Sequence, residues 1–174
     1  EWVAEEKKDG VWCLATVEAG IVTALASRTG LPLGAPDLVG KQIAPREAGS
    51  GQLVGELVSD LVEGEEEEDS ERTGKRRLHL FEPLNWNGLE LRELILEERR
   101  EALAMISDRI AAYLLAASGD LKNYDPVMFL IERRESGFLA WYDQIMAGTS
   151  RVIGKRAGSG EKMSRTANSG ANLK

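Results

Sequence analysis

The chain has 174 residues, of which 43% are hydrophobic, and its 29 acidic residues outnumber its 22 basic ones, giving a formal net charge of −7. A chain of this length can bury about 70% of the surface that it exposes when unfolded, so we expect one domain covering residues 1–174. No apolar run approaches the roughly 20 residues that span a bilayer, and no signal-peptide pattern opens the chain. Cys13 is the only cysteine, which excludes an internal disulfide. These features predict a protein of the cytoplasm or nucleus that is neither secreted nor bound to a membrane.

The spacing of apolar residues predicts an α+β fold in which antiparallel sheets are flanked by helices. Alternating runs predict a hairpin around Glu18-Ala19-Gly20, with strands over residues 11–17 and 21–27. Apolar residues that return every three or four positions predict a mainly helical segment over residues 89–115, which Gly119 ends. Further strands are predicted over residues 53–61, 78–84, 127–131 and 151–156, and a second helix over residues 137–147.

Charge is distributed unevenly along the chain. Acidic residues crowd the segment 63–76, which we interpret as a solvated loop inserted between two strands. A Gly/Ser-rich stretch over residues 157–170 is typical of a flexible loop. From Arg133 onward basic residues outnumber acidic ones, as expected of a face that meets a phosphate backbone or of a basic tail without a specific partner.

The segment Glu5-Glu6-Lys7-Lys8-Asp9-Gly10 places a lysine two residues before Asp-Gly. In an extended strand Glu5 and Lys7 project from the same face, as they would on the wall of a pocket. A solvated turn between two strands has a similar composition. Covalent nucleotidyltransferases use the same pattern to present a lysine to a nucleoside triphosphate, although free lysine has a pKa of about 10.4 and must lose its proton to attack.

Four further segments follow in order. Arg28 lies in Ser27-Arg28-Thr29-Gly30, and its planar guanidinium suits a phosphate, although an ordinary turn can also contain an arginine. Glu56 lies in Gly55-Glu56-Leu57-Val58, an apolar run in which a carboxylate needs a partner. Phe81 lies in the next predicted strand, and Glu97-Glu98-Arg99-Arg100 lies in the predicted helix.

In this order and spacing, the segments resemble the nucleotidyltransferase (adenylation) domain of ATP-dependent DNA ligases. The motifs of that family read ExKxDGxR, SRxG and GELV, with a later ERR helix, and the resemblance runs from about residue 5 to the end of the chain. It implies a ligase-type nucleotidyltransferase fold, ATP-grasp-like, that uses ATP and Mg²⁺ in DNA replication, repair and recombination. It also implies that Lys7 becomes adenylylated and passes AMP to the 5′-phosphate of nicked double-stranded DNA, which the 3′-hydroxyl then seals.

The resemblance assigns roles to further residues. Glu5 lies on the wall of the nucleotide pocket and Glu6 meets adenine through its backbone. Arg28 contacts the 5′-phosphate of the nick, and Glu56 holds the ribose hydroxyls or the metal. Phe81 stacks on adenine, although an aromatic residue in an alternating strand is often a core residue. Two lysines of the last motifs, Lys155 and Lys174, complete the nucleotide site, with Lys174 at the α-phosphate.

The sequence departs from the family in two motifs. Trp12 stands where the first motif has arginine. In the later motif EGxVxK, whose lysine is matched by Lys155, Ser150 and Arg151 stand in place of the metal-binding glutamate and the glycine. An alternative alignment on Glu135-Ser136-Gly137 keeps a carboxylate but loses the Val-x-Lys pattern. A catalytically degenerate module that binds nucleotide or nucleic acid therefore remains an alternative, as does an RNA ligase of the same superfamily.

The last motif, WxKxK, is matched only by Asn172-Leu173-Lys174 at the end of the chain. We therefore expect the sequence to be a piece of a longer protein, and the resemblance implies a monomer whose full length adds a C-terminal OB-fold.

Overall fold

The structure, a computed structural model, describes residues 2–59, 75–131, 133–134, 151–156 and 165–166, with the side chains of Glu5, residues 8–59, residues 75–128 and Ile131. These ranges contain strands, one long helix and a short 3-10 helix at Arg46–Ala48. The predicted α+β class is confirmed. The strands are β1 Trp2–Lys7, β2 Val11–Glu18, β3 Ile21–Ala26, β4 Gly51–Ser59, β5 Arg76–Trp86, β6 Leu89–Glu90, β7 Met128–Leu130, β8 Arg133–Arg134, β9 Arg151–Arg156 and β10 Arg165–Thr166, and the helix is α1 Leu96–Ser118.

The larger sheet has the strand order β3-β2-β4-β5-β6, and all of these neighbours are antiparallel. The β2–β3 hairpin turns at Ala19-Gly20, as predicted. The eleven-residue strand β5 pairs with β4 along one edge and shares its other edge between β6 and β7. The predicted antiparallel sheet is thus confirmed, and β7 adds one parallel pair to it at β5.

The smaller sheet has the order β10-β9-β1-β8 and is antiparallel throughout its described strands. β1 lies inside this sheet, with β9 along its whole length on one side and β8 at Ala4 and Glu5 on the other. The strand that carries Lys7 is therefore held from both sides.

The described core lies between one face of the larger sheet and α1. Alternate residues of β2 and β5 are fully buried there, and the helix contributes a stripe at three- and four-residue spacing, as its apolar period predicts. The residues of this cluster include Cys13, Ala15, Val17, Leu78, Leu80, Leu103, Ile106, Ile110 and Leu114.

The predicted helix over residues 89–115 is wrong at its start, because α1 begins at Leu96. Asn87 has a φ of 50°, so the chain reverses there and Leu89–Glu90 returns as β6. The Asn87 side chain fixes this turn by accepting the amide of Ser50 at 3.0 Å and donating to the carbonyl oxygen of Ala48 at 3.0 Å. The Ile95 amide then donates to the Glu98 carboxylate at 3.3 Å at the helix start.

Several predicted segments fall wholly or partly outside the described residues. The acidic loop over 63–76 lies outside except at its end, where Arg76 already belongs to β5. Within the predicted flexible loop over 157–170, Arg165–Thr166 forms β10 and pairs with β9. The predicted helix over 137–147 lies outside. No helix in the described part of the chain combines the length and apolar character that crossing a bilayer requires.

A methyl group at Gly55 should destabilise the larger sheet. A Cβ atom there would lie 2.6 Å from the His79 carbonyl oxygen and 2.8 Å from Leu78 Cδ1, so β4 and β5 would have to separate. We expect Gly55→Ala to lower the free energy of unfolding by about 1–3 kcal/mol. Gly34→Ala is the matched control, because no atom lies within 4 Å of its Cβ position. Equal urea midpoints for the two variants would contradict the expectation.

The Cys13 thiol should be protected from alkylation in the folded protein. Burial raises the pKa of Cys13 from 9.0 to about 11, so the folded thiol stays protonated at pH 8 and has no exposed surface. Since the unfolded thiol ionises first, this group should also cost stability as the pH rises from about 9 to 11. Iodoacetamide labelling at pH 8 with and without urea, followed by mass spectrometry, checks the first expectation. Rapid labelling without urea would contradict it.

Candidate active site

Lys7 ends β1 at the point where the chain passes from the smaller sheet to the larger one. Its backbone lies opposite Arg151 of β9, whereas its side chain lies outside the described residues. A bend at Asp9-Gly10 follows, and β2 begins at Val11. A Cβ atom on Gly10 would overlap the Leu57 carbonyl oxygen. Glycine at position 10 therefore lets the backbone approach β4 closely.

Glu5, predicted to line the nucleotide pocket, is only 3% exposed. Its carboxylate lies 4.0 Å from Nε of Arg100 in α1. Arg100 is itself buried, and its Nη2 donates a hydrogen bond to the carbonyl oxygen of Ile131, next to β7. The side chain of Glu5 is therefore part of a buried ion pair that ties β1 to the helix.

The neighbouring residue Arg99 makes a second connection from α1. It is 6% exposed, its Nε lies 3.5 Å from the Glu82 carboxylate in β5, and its Nη1 donates to the Leu94 carbonyl oxygen. Consecutive residues on a helix point about 100° apart. Arg99 consequently reaches Glu82 of the larger sheet, while Arg100 reaches Glu5 of the smaller sheet.

Four residues form a row across the half-exposed face of the larger sheet. Trp12 of β2 lies opposite Glu56 of β4, and Glu56 lies opposite His79 of β5. On the other side of Trp12, the Arg28 guanidinium carbon lies 5.6 Å from the centre of the indole ring. The structure thus brings together two predicted site residues, Arg28 and Glu56, with Trp12 between them.

The Ser27-Arg28-Thr29-Gly30 segment is a hydrogen-bonded turn. The Ser27 amide donates to the Leu31 carbonyl oxygen at 2.7 Å, and the Gly30 amide donates to the Ser27 carbonyl oxygen at 2.9 Å. The Ser27 hydroxyl accepts the Leu31 amide at 3.1 Å and lies 3.1 Å from the Thr29 hydroxyl. These bonds fix the backbone at Arg28 and leave its side chain exposed.

Phe81 is the extra residue of a β-bulge. Leu80 pairs with Gly55 and Glu82 pairs with Val54, so no residue of β4 lies opposite Phe81. A bulge re-aims the side chain that it carries. Phe81 is half-buried and does not belong to the fully buried core, and its stacking on adenine stays a prediction.

The remaining predicted residues are placed by their backbones alone or lie outside. Lys155 in β9 lies opposite Val3, and Glu6 lies opposite Val152. Directly opposed positions of an antiparallel pair share one face of the sheet, so position 155 lies on the same face as positions 3, 5 and 7. Three residues lie outside the described ranges, namely Lys174, Ser150 and Glu135.

The predicted metal ligand Glu56 does not belong to a larger ligand set in the described residues. No group of three His, Cys, Asp or Glu side chains comes together there as a metal site. Mg²⁺ is commonly held by one or two carboxylates together with substrate phosphates. A single carboxylate beside a nucleotide therefore fits that donor set.

Sequence patterns missed three contacts of this region. The stacking of Arg28 on Trp12 follows from extending the β2–β3 pairing, in which Leu14 lies opposite Ala26, by two residues. The partners of Arg99 and Arg100 had no local signal, because Glu82 and Glu5 are distant in sequence. The only sequence signal for these arginines was their place in the Glu-Arg-Arg motif, which gives no information about their partners.

Removing Arg100 should destabilise the fold far more than removing an exposed arginine of the same helix. Arg100→Met leaves the Glu5 carboxylate buried without this cation, and we expect a loss of about 3–5 kcal/mol in the free energy of unfolding. Arg109→Met, at an exposed position of α1, should change it by no more than about 0.5 kcal/mol.

The double variant Glu5→Leu/Arg100→Met should recover part of that loss, since it removes both buried charges. Urea unfolding followed by circular dichroism measures all the variants. Equal losses for Arg100→Met and Arg109→Met would rule out the buried pair.

No protein-family model and no curated protein matches the chain. Solved structures do match it. A "mycobacterial DNA ligase D complexed with ATP and MES" is 19% identical with a TM-score of 0.68, and the match covers 95% of this chain and 50% of that one. The ligase domain of LigD from M. tuberculosis is 18% identical with a TM-score of 0.62, over 95% and 50% of the two chains.

A structure of Lig E DNA ligases is 14% identical with a TM-score of 0.54, over 91% of this chain and 56% of that one. The chain spans about half the length of these ligases. Over 91–95% of its own length, the chain has a fold similar to that of these DNA ligases, in agreement with the resemblance of its motifs.

Proposed function

We propose that the chain is the adenylation domain of an ATP-dependent DNA ligase, with a nucleotidyltransferase fold and Lys7 as its nucleophile. One observation carries the proposal. Lys7 ends β1 where the chain crosses to the larger sheet, and the next strand carries Trp12 beside Arg28 and Glu56. The likeness in fold to DNA ligases supports it.

In the first step, Nζ of Lys7 attacks the α-phosphorus of ATP. A nitrogen–phosphorus bond forms, the bond to pyrophosphate breaks, and the amine gives up its proton. A nearby cation favours the neutral amine before attack, and the position opposite Lys7 is occupied by Arg151. Lys155, on the same face of the smaller sheet, is a candidate to hold the phosphates of ATP, and Lys174 is a candidate to contact the α-phosphate.

The nucleotide itself would be held by residues of both sheets. Phe81 stacks on adenine from the bulge in β5, and the backbone of Glu6 meets the base. Glu56 binds the ribose hydroxyls or holds Mg²⁺, which neutralises charge on the phosphates when bound.

In the second and third steps, the 5′-phosphate of a nick attacks the lysine-linked AMP and releases Lys7, and the 3′-hydroxyl then displaces AMP to seal the strand. Arg28 would grip the 5′-phosphate. The described strands of the smaller sheet are rich in basic residues, since seven of their sixteen residues are Lys or Arg and two are Glu, and this composition favours contact with the phosphates of a duplex. The net charge of −7 does not oppose this, since many acids lie in the segment 63–71.

A binding module without catalysis is the second candidate. Trp12 occupies the arginine position of the first motif, and Ser150 occupies the position of the metal-binding glutamate. Such a module would bind ATP or nucleic acid without forming a covalent adduct.

The deciding experiment is incubation with α-labelled ATP and Mg²⁺, followed by a denaturing gel. We expect the native protein to retain label, Lys7→Ala to lose it, and Lys8→Ala to keep it as the matched control. A label that Lys7→Ala keeps would assign the nucleophile elsewhere. Folded native protein that binds ATP and acquires no label would favour the binding module.

Substrate choice separates the enzyme classes of the superfamily. The proposed ligase should take label from ATP, and not from GTP or NAD⁺. Labelled protein should transfer AMP to nicked DNA duplex. Transfer to nicked RNA alone would instead identify an RNA ligase.

A further inference from the structure

Trp12 stands at the motif position where DNA ligases have an arginine, and its indole ring is already engaged by a cation. The Arg28 guanidinium carbon lies 5.6 Å from the ring centre, within the range of a cation–π contact. β2 and β4 set Glu56 on the opposite side of Trp12. The aromatic residue therefore separates the arginine from the carboxylate in the row.

The Arg28 side chain needs such a contact to keep one orientation. It is long and exposed, so it has many rotamers to lose on binding an anion. The turn bonds of Ser27 and Gly30 fix only the backbone. Among the described residues, the Trp12 ring is the one partner of the guanidinium.

Stacking and ion pairing differ in how many N–H donors of an arginine they leave available. Arg92 shows the second case, because its Nε and Nη2 donate to both oxygens of Glu90 at 2.8 and 2.6 Å. Those donors are occupied. A guanidinium that lies over an aromatic face keeps its in-plane N–H donors available for another acceptor. Arg28 is thus held without being neutralised.

We propose that Trp12 is a positioning residue, whose ring holds the Arg28 guanidinium with its donors free for the terminal 5′-phosphate of a nucleic acid strand. Trp12 occupies the arginine position of the first motif, and its contribution there is to stack on Arg28 of the second motif. The choice of a nicked strand as the source of the phosphate rests on the proposed function. The contact between Trp12 and Arg28 does not.

The first test observes the contact directly, without ATP or DNA. The Arg28 Nε–Hε resonance of ¹⁵N-labelled protein, assigned with Arg28→Lys, should be shifted upfield by the indole ring. The shift should disappear in Trp12→Leu and persist in Thr16→Ala, a control on the same strand and face. A resonance that does not move in Trp12→Leu would overturn the proposal.

The second test measures the preference for a phosphate. Fluorescence anisotropy compares the affinity for a nicked duplex with a 5′-phosphate and with a 5′-hydroxyl at the nick. Arg28→Gln should abolish the preference, Trp12→Leu should reduce it about twofold to fivefold, and Trp12→Phe should keep most of it. In the Arg28→Gln background, Trp12→Leu should cause no further loss.

Additive losses in the double variant, or an unchanged preference in Trp12→Leu, would overturn the role of Trp12. So would a native protein that binds both duplexes equally. The labelling experiment with Lys7→Ala decides the proposed function separately, because neither measurement here depends on formation of the lysine adduct. Thermal melts confirm that each variant is folded before binding is compared.

Discussion

Two consecutive arginines at the start of α1 hold the two sheets in one frame. Arg99 contacts Glu82 of the larger sheet, and Arg100 contacts Glu5 of the smaller sheet. Both arginines are nearly fully buried, so loss of either acidic partner would leave a desolvated charge. The orientation of the helix is therefore coupled to both sheets, and β1 cannot shift without disturbing a buried ion pair.

This frame matters for chemistry because Glu5 lies two residues before Lys7. β9 and β8 hold β1 from its two sides, and the lack of a Cβ at Gly10 lets the next turn pack against the backbone of β4. The backbone of Lys7 is thus fixed on both sides, by the strand pairing of β1 before it and by the packing of Gly10 against β4 after it. Under the proposed function, positioning of this kind would lower the entropy cost of bringing the Lys7 amine to ATP.

The sequence predicted the parts of this fold that depend on local periodicity. The β2–β3 hairpin, β7 over Met128–Leu130 and β9 over Arg151–Arg156 were found where alternation placed them. The start of α1 was wrong, because Asn87 adopts a positive φ and turns the chain into β6 before the helix begins. The order of strands in each sheet carried no local signal, since it depends on pairing between segments far apart in sequence.

The contacts of the candidate site likewise divide into those that the sequence could predict and those that it could not. Proximity of Arg28 to Trp12 could have been deduced from the hairpin register, because that contact is between adjacent strands. The partners of Arg99 and Arg100 could not, because a buried arginine requires a carboxylate supplied by tertiary structure. A charged residue in the apolar stripe of α1 indicates that an oppositely charged partner exists, but it does not indicate which residue that partner is.

Motif residues of this chain serve two different purposes. Gly10 and Gly55 allow strands to approach, and Arg99 and Arg100 hold the sheets together, so a protein that only keeps the fold would need them as much as an enzyme does. Arg28 is different, because it is exposed and the described residues give it no carboxylate. Packing does not require a cation at that position, whereas binding of a phosphate does. Under the proposed function, Arg28 is therefore the motif residue whose positive charge would serve phosphate binding, whereas the glycines and the buried arginines have structural contacts of their own.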